Sequence, residues 1–190
     1  DAFFYALMYT AGGPEFFEKA THYEEGIWET PEADKLFEIL DKLADYTHPS
    51  TPAQANNQDF TRNQLMVMTD EALFMPNGTW IIGEMAEAEI AQDVADGFQW
   101  GMTALPALDA DSIGYSYTFL EQAWIPSGAE HIDEAKTFLS YLYSDEAASI
   151  FAKGGAVQPI LGMTDQLEGD NKLFYSIYDN GAGAALHFHI

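Results

Sequence analysis

Cysteine is absent from the sequence, which excludes a disulfide framework and thiolate metal sites. Basic residues are scarce as well: seven Lys and Arg stand against 31 Asp and Glu, for a formal net charge of −24. A surface of that sign repels phosphate backbones and anionic membranes, so nucleic acid is not an expected partner. No apolar run reaches the length of a membrane span, and residues 2–9 lack the basic flank of a signal peptide. We therefore expect no direct membrane span in this segment.

Apolar and aromatic residues are plentiful. They make up 47% and 14% of the 190 positions, which is enough for the core of one domain or one large lobe. The chain starts at Asp1, enters an apolar helical pattern at once and ends on apolar residues. We therefore expect residues 1–190 to form a single lobe that is a piece of a longer protein.

Helical periodicity dominates the chain and alternates with a few strand-like runs. The clearest helix follows Thr30 and Pro31, an N-cap and first-position pair with apolar residues at helical spacing behind it. Further helices are predicted over 2–10, 14–22, 60–69, from 79 onward, 132–142, 145–153 and 173–178. Strands are predicted over 72–75, 98–107 and 118–126, with an extended connection at 26–28 and a loop at 47–59. Few short strands among many helices favour a helix-rich α/β or α+β lobe over a complete doubly wound domain.

Paired carboxylates are the first candidates for catalysis. Glu84 and Glu87 lie three positions apart on one predicted helix face, and Glu121 lies in an apolar strand-like run. Such a pair is what a glycoside hydrolase needs, so an enzyme lobe is the alternative function. Solvated helix faces are the commoner explanation in so acidic a chain. Glu121 is the exception, because a carboxylate among apolar residues needs a partner or a polar cavity.

No metal and no cofactor are expected. His187 and His189 could lie on one strand face, but two ligands without a third are weak evidence for a metal. Asp109 and Asp111 resemble the start of a calcium loop, but the glycine and the distal glutamate of that motif are missing. Neither a phosphate-binding glycine loop nor a nucleophile elbow is present.

Trp80 is the most informative aromatic residue. It follows the turn Pro76–Gly78 and precedes a predicted helix whose first N–H groups are free. A flat apolar ring beside backbone donors suits a ligand with one apolar face and many hydroxyls, which describes a sugar. A purely structural module with an aromatic core and an acidic coat is a third reading, and it requires Trp80 to be packed inside the lobe.

The order of several motifs resembles that of family 1 extracellular solute-binding proteins of ABC importers. The motifs are LFMPNGTWIIGEM (73–85), FQWGMTALPAL (98–108), the strand and two helices of 123–151, and GAVQPI (155–160). Together they cover about residues 59–160. With TFLEQAWIP (118–126) and FYSIYDNGA (174–182), the sequence is most similar to binders of N-acetylglucosamine and its oligomers.

This resemblance implies a fold, a function and a location. The fold is the C-terminal lobe of a type II periplasmic binding protein, helix-rich, with its second lobe absent. The function is to bind a sugar between two hinged lobes without chemistry and to deliver it to the ABC permease. The location is extracellular or periplasmic, with a lipid anchor in the full-length protein.

The resemblance also implies ligand-binding residues. Trp80 matches the position whose indole stacks on the sugar, and Asn77 lies in the same turn. The segments around Tyr117, Glu121 and Trp124 correspond to parts of the cleft and hinge. Gln158 faces the same region in some relatives and completes the set.

Overall fold

The chain begins with a kinked helix. The computed structural model describes residues 2–54, 56, 60–95, 97–118, 122–153 and 162–186. Within α1 (Ala2–Thr21), Gly13 has φ 75 and ψ −177, a backbone conformation open to glycine, and Pro14 starts the second half. The two predicted helices, separated at this glycine and proline, are therefore confirmed.

The second helix is α2 (Pro31–Tyr46), and it begins as the sequence indicates. Thr30 is its N-cap: the Ala33 N–H donates to Thr30 Oγ1 at 3.4 Å, and Pro31 occupies the first position. The preceding residues Ile27–Glu29 form a 3-10 turn, so the extended connection predicted at 26–28 is wrong. Ile27 is buried, and the tight turn lets it reach the core between α1 and α2.

Short helices occupy the middle of the chain. They are α3 (Thr51–Gln54), α4 (Thr61–Met68), α5 (Ile81–Glu87) and α6 (Gln92–Ala95). The helices predicted over 60–69 and from 79 onward are confirmed, whereas the predicted loop at 47–59 contains α3. The strand predicted over 72–75 is wrong: that stretch forms no strand, and Leu73 is 83% exposed. Four apolar residues without a neighbouring strand have no ladder to join.

Two strands pair in parallel. β1 (Tyr115–Thr118) and β2 (Gly183–Leu186) run side by side, with Tyr115 opposite Gly183. The predicted strand at 98–107 is wrong apart from one antiparallel bridge between Leu105 and Tyr115. The strand predicted at 118–126 is displaced, since β1 ends where it was expected to begin, and the described residues 122–126 are irregular.

Three helices complete the fold: α7 (Ile132–Tyr141), α8 (Asp145–Lys153) and α9 (Gly169–Asp179). Ser144 caps α8, accepting from the Ala147 N–H at 3.3 Å, as its position before two acidic residues predicts. α9 starts four residues before its predicted beginning. α7 is amphipathic as predicted, but none of its residues is buried.

Buried side chains form three clusters, defined here as first, second and third core. The first core joins α1, the 3-10 turn and α2; its members are Leu7, Met8, Ala11, Phe16, Phe17, Ala20, Ile27, Ala33 and Leu36. The second core joins α4, α5 and α9; its members are Met68, Ile81, Met85, Ala91 and Phe174. The third core contains Ala148, Ala152 and Leu167. The predicted helix-rich α/β architecture with few short strands is confirmed.

Candidate functional site

Trp80 lies in the turn over residues 78–81 that leads into α5, after the irregular residues 76 and 77. It is the N-cap residue of that helix, its φ and ψ are −68 and −19, and its side chain is 45% exposed. The indole lies against the Cα of Gly78, so that a Cβ added there would collide with its six-membered ring. Glycine at 78 therefore makes room for the indole, and the ring is partly supported by the chain and partly open to solvent. A Trp packed wholly inside the lobe is excluded.

The start of α5 is less rich in free donors than its sequence indicates. The Ile81 N–H already donates to the Gly78 carbonyl at 3.2 Å. Asn77 is half-buried, and its Oδ1 accepts from the Gly78 N–H at 2.7 Å while its Nδ2 lies 3.6 Å from Met75 Sδ. The polar atoms of Asn77 thus shape the turn that presents Trp80, and its contact with a ligand stays a prediction.

Two tyrosines of α9 connect this turn to β1, and sequence reasoning missed both. The side chain of Thr79, the residue before Trp80, lies close enough to Tyr175 to act on the pKa of its phenol. One helical turn along, the Tyr178 hydroxyl lies 2.9 Å from Thr118 Oγ1. The two tyrosine rings are 6.4 Å apart. The Tyr-x-x-Tyr spacing was a usable signal, because positions i and i+3 share a helix face.

Tyr175 is the more deeply placed of the two. Its ring packs against the third core, and burial raises the pKa of its phenol, while the side chain of Thr79 acts in the opposite direction. Its neighbour Phe174 belongs to the second core. α9 therefore meets four parts of the molecule. Phe174 contacts the second core, Tyr175 contacts the third core and the Trp80 turn, and Tyr178 contacts β1.

Tyr117 belongs to a layer of aromatic rings between β1 and α1. Its ring is 5.3 Å from that of Tyr5, and the rings of Tyr9 and Tyr115 are also 5.3 Å apart. Burial, with a smaller contribution from Tyr5, raises the pKa of the Tyr117 phenol. Thr118 follows Tyr117 in β1, but consecutive strand side chains point to opposite faces, so Thr118 faces Tyr178 of α9 while Tyr117 faces Tyr5 of α1. Tyr5 was not predicted, because its pairing with Tyr117 is a tertiary contact.

The other predicted ligand residues are not joined to this surface. Trp124 lies in an irregular segment and is 78% exposed. Glu121 and Gln158 lie outside the described residues, as do His187 and His189.

The carboxylates Glu84 and Glu87 line a separate cavity of about 520 Å³. Its walls are Phe60, Thr61, Glu84, Glu87, Ala88, Glu89 and Ile90. Gln64, only 3% exposed, donates from Nε2 to Glu84 Oε2 at 2.6 Å and fixes that carboxylate. Trp80 does not line the cavity, so the candidate hydrolase pair and the candidate sugar-stacking ring are two different places.

The described residues contain neither a cluster of metal ligands nor a membrane-spanning helix. Within the described ranges, no three His, Cys, Asp or Glu side chains are arranged to hold a metal ion. Asp109 and Asp111 form an ordinary turn, in which the Asp111 N–H donates to Asp109 Oδ1 at 3.2 Å. No helix in the described part of the chain is long and apolar enough to cross a membrane.

Comparison with known proteins identifies the family. The model of the bacterial extracellular solute-binding proteins matches residues 1–168, which is most of the chain. No curated protein and no solved structure gives a significant match. The resemblance noted in the motifs is confirmed at this level, which implies a solute ligand, a transporter as partner and a location outside the cytoplasm. The chain therefore belongs to the bacterial extracellular solute-binding protein family.

Proposed function

We propose that the protein binds a carbohydrate against Trp80 and delivers it to the permease of an ABC importer. One observation carries this proposal: the indole is 45% exposed, and its six-membered ring lies against Gly78. The flat C–H face of a sugar ring stacks on such a surface, and the ring loses little freedom on binding because the turn already orients it.

Hydroxyl groups along α9 and the residues that it meets are the proposed source of the polar contacts that a sugar needs. Thr79, Tyr175, Thr118 and Tyr178 carry their hydroxyls along the connection from Trp80 to β1. Each hydroxyl can donate one hydrogen bond and accept two, so pairing with one another leaves capacity for a ligand. N-acetylglucosamine or its oligomers are the proposed ligands, on the basis of the resemblance of the 73–85 and 174–182 segments.

The described residues are proposed to supply one wall of the binding cleft. In this proposal, residues 1–190 are the C-terminal lobe, with inter-lobe segments, of a two-lobe protein that carries a lipid anchor. Closure about a hinge then brings the other lobe over the sugar and excludes water. Asn77 lies in the same segment as Trp80. Tyr117, Glu121, Trp124 and Gln158 are the further proposed contacts.

The test is calorimetric titration of the protein with N-acetylglucosamine and chitooligosaccharides. Trp80→Ala is expected to weaken binding by about 1–3 kcal/mol, roughly 5- to 150-fold, because the stacking surface is lost. Phe74→Ala is the matched control, since Phe74 is also exposed but precedes the turn. Equal affinity in the wild type and Trp80→Ala would remove Trp80 from the site.

The same samples test the proposal that no chemistry is performed on the sugar. Chitooligosaccharides incubated with the protein are expected to yield no new reducing ends. Turnover that disappears in Glu84→Gln or Glu87→Gln would establish the hydrolase alternative at the 520 Å³ cavity.

A further inference from the structure

Two exposed aromatic residues form a pair at the edge of the first core. Trp28 on the 3-10 turn is 42% exposed and Phe37 on α2 is 52% exposed, and their rings are 6.3 Å apart. Trp28 is also held edge-on by the buried Phe16, at 6.1 Å between centroids. We name Trp28 and Phe37 the Trp28–Phe37 patch. It is a rigid apolar surface, since one of its rings is anchored in the core.

Acidic residues surround this patch more densely than they do elsewhere. Eight of the 24 residues from 23 to 46 are Asp or Glu, compared with 31 of 190 in the whole chain. All eight are exposed; they are Glu24, Glu25, Glu29, Glu32, Asp34, Glu38, Asp41 and Asp45. In the part of the chain that the structure describes, none of them forms an ion pair. Asp34 and Asp41 lie three and four positions from Phe37 and so share its side of α2.

Cations within this segment do not neutralise the acidic rim. Lys35 is directed to Asp109, with Nζ 3.6 Å from Oδ2, which leaves Lys42 as the other base of residues 23–46. Lys19 of α1 interacts electrostatically with Glu24 and Glu32, which leaves acidic residues in clear excess around the patch. Apolar rings within such an acidic rim attract a partner with the reverse pattern, an apolar side chain between cations. Trp28 adds a further preference, because an arginine or lysine placed over an indole face is stabilised by the ring electrons.

We propose that the Trp28–Phe37 patch is a docking surface for a basic, amphipathic segment of another polypeptide. A second copy of this chain fits poorly, because two surfaces of the same negative sign repel. An anionic membrane is disfavoured for the same reason. The proposal is independent of the sugar site, since Trp28 packs on Phe16 of the first core, whereas Ile81, which follows Trp80, belongs to the second core.

The probe for this surface is a synthetic 18-residue helical peptide of leucine and lysine, titrated calorimetrically into the protein at 150 mM salt. The wild type is expected to bind it, and Trp28→Ala/Phe37→Ala is expected to weaken binding at least tenfold. Leu73→Ala/Phe74→Ala, which removes another exposed apolar pair, is expected to change affinity less than twofold. Equal losses in the two variants, or no binding by the wild type, would overturn the proposal.

General attraction between opposite charges needs its own control, because the whole chain is acidic. Asp34→Asn/Asp41→Asn removes two charges beside the patch, and Glu130→Gln/Glu134→Gln removes two exposed charges from the region of α7. We expect the first pair to weaken peptide binding at least threefold more than the second. The same loss in both would show that net charge alone attracts the peptide and would refute a defined surface.

Folding and self-association are measured on the same variants. Phe37→Ala alone is used if the double variant unfolds, since Phe37 is half exposed on a helix. This single variant is expected to weaken peptide binding at least threefold. Light scattering is expected to show the same mass for the wild type and the double variant. A wild-type dimer that Trp28→Ala/Phe37→Ala dissociates would overturn the proposal in favour of a second copy.

Discussion

Replacing Gly78 by alanine tests whether the Trp80 indole acts through its position. Gly78 has no positive φ, so alanine is acceptable to the backbone, but its Cβ would overlap the six-membered ring of Trp80. The indole is half exposed and can swing outward, at a cost of about 0.5–1.5 kcal/mol for a displaced side-chain rotamer. We therefore expect Gly78→Ala to keep the fold and to lose sugar affinity.

The size of that loss is limited by the stacking contact itself. Removal of the ring by Trp80→Ala is worth about 1–3 kcal/mol, so Gly78→Ala should lose no more than this. In the double variant the added effect of alanine at 78 should fall within about 0.5 kcal/mol of zero, since the ring that it displaces is gone. Calorimetry of the four proteins with one chitooligosaccharide measures this cycle.

Gly83→Ala is the matched control for that experiment. Gly83 is an exposed residue of α5, and a Cβ added there meets nothing within 4 Å. It should leave sugar affinity unchanged and should raise helix stability by about 1 kcal/mol, the usual difference between glycine and alanine in a helix. The reasoning is refuted if Gly78→Ala binds sugar like the wild type, or if its loss adds fully to that of Trp80→Ala.

Two further predictions concern the connection through α9 and the loop beside α2. Tyr178→Phe removes the hydrogen bond to Thr118 and should lower the free energy of unfolding, measured by urea denaturation, by about 1 kcal/mol. The same change in a Thr118→Val background should have a smaller effect. Full additivity of the two substitutions would contradict the contact. A hydrogen bond from Ser112, with smaller help from the Asp111 N–H and Lys35, holds the pKa of Asp109 below its usual 3.8, so the stability it contributes is complete above pH 3.8 and is lost as pH falls through the lowered value. An NMR titration of Ser112→Ala should move the Asp109 midpoint upward, and an unmoved midpoint would refute this cause.

Local signals in the sequence predicted the helix boundaries well. A cap such as Thr30, or a break such as Gly13, acts on backbone groups within one turn, so neighbouring residues are sufficient to recognise it. The strands were poorly predicted because a strand requires a partner. Among the described residues, the apolar run at 72–75 has no partner and the run at 98–107 pairs only through the bridge from Leu105 to Tyr115. β2 has the weakly strand-forming sequence Gly-Ala-Ala-Leu and pairs nevertheless.

The candidate site shows the same division between local and distant information. The turn before Trp80 and the glycine that accommodates its ring could be read from consecutive residues. The support from Tyr175, nearly a hundred residues further along, depends on how α9 packs, and helical spacing does not specify which turn a tyrosine meets. None of the residues of α7 is buried although its apolar residues share one face, because amphipathic spacing leads to burial only where another element covers that face.

The parallel pairing of β1 with β2 has a consequence for the way this chain is made. Tyr115 cannot pair with Gly183 until 68 further residues have been synthesised, and α1 packs against both strands. A ribosome therefore releases α1 and β1 long before their last partner emerges, and contacts so distant in sequence form late. Until β2 is synthesised, α1 therefore lacks one of its two strand neighbours, and this side of the helix is the last to be covered.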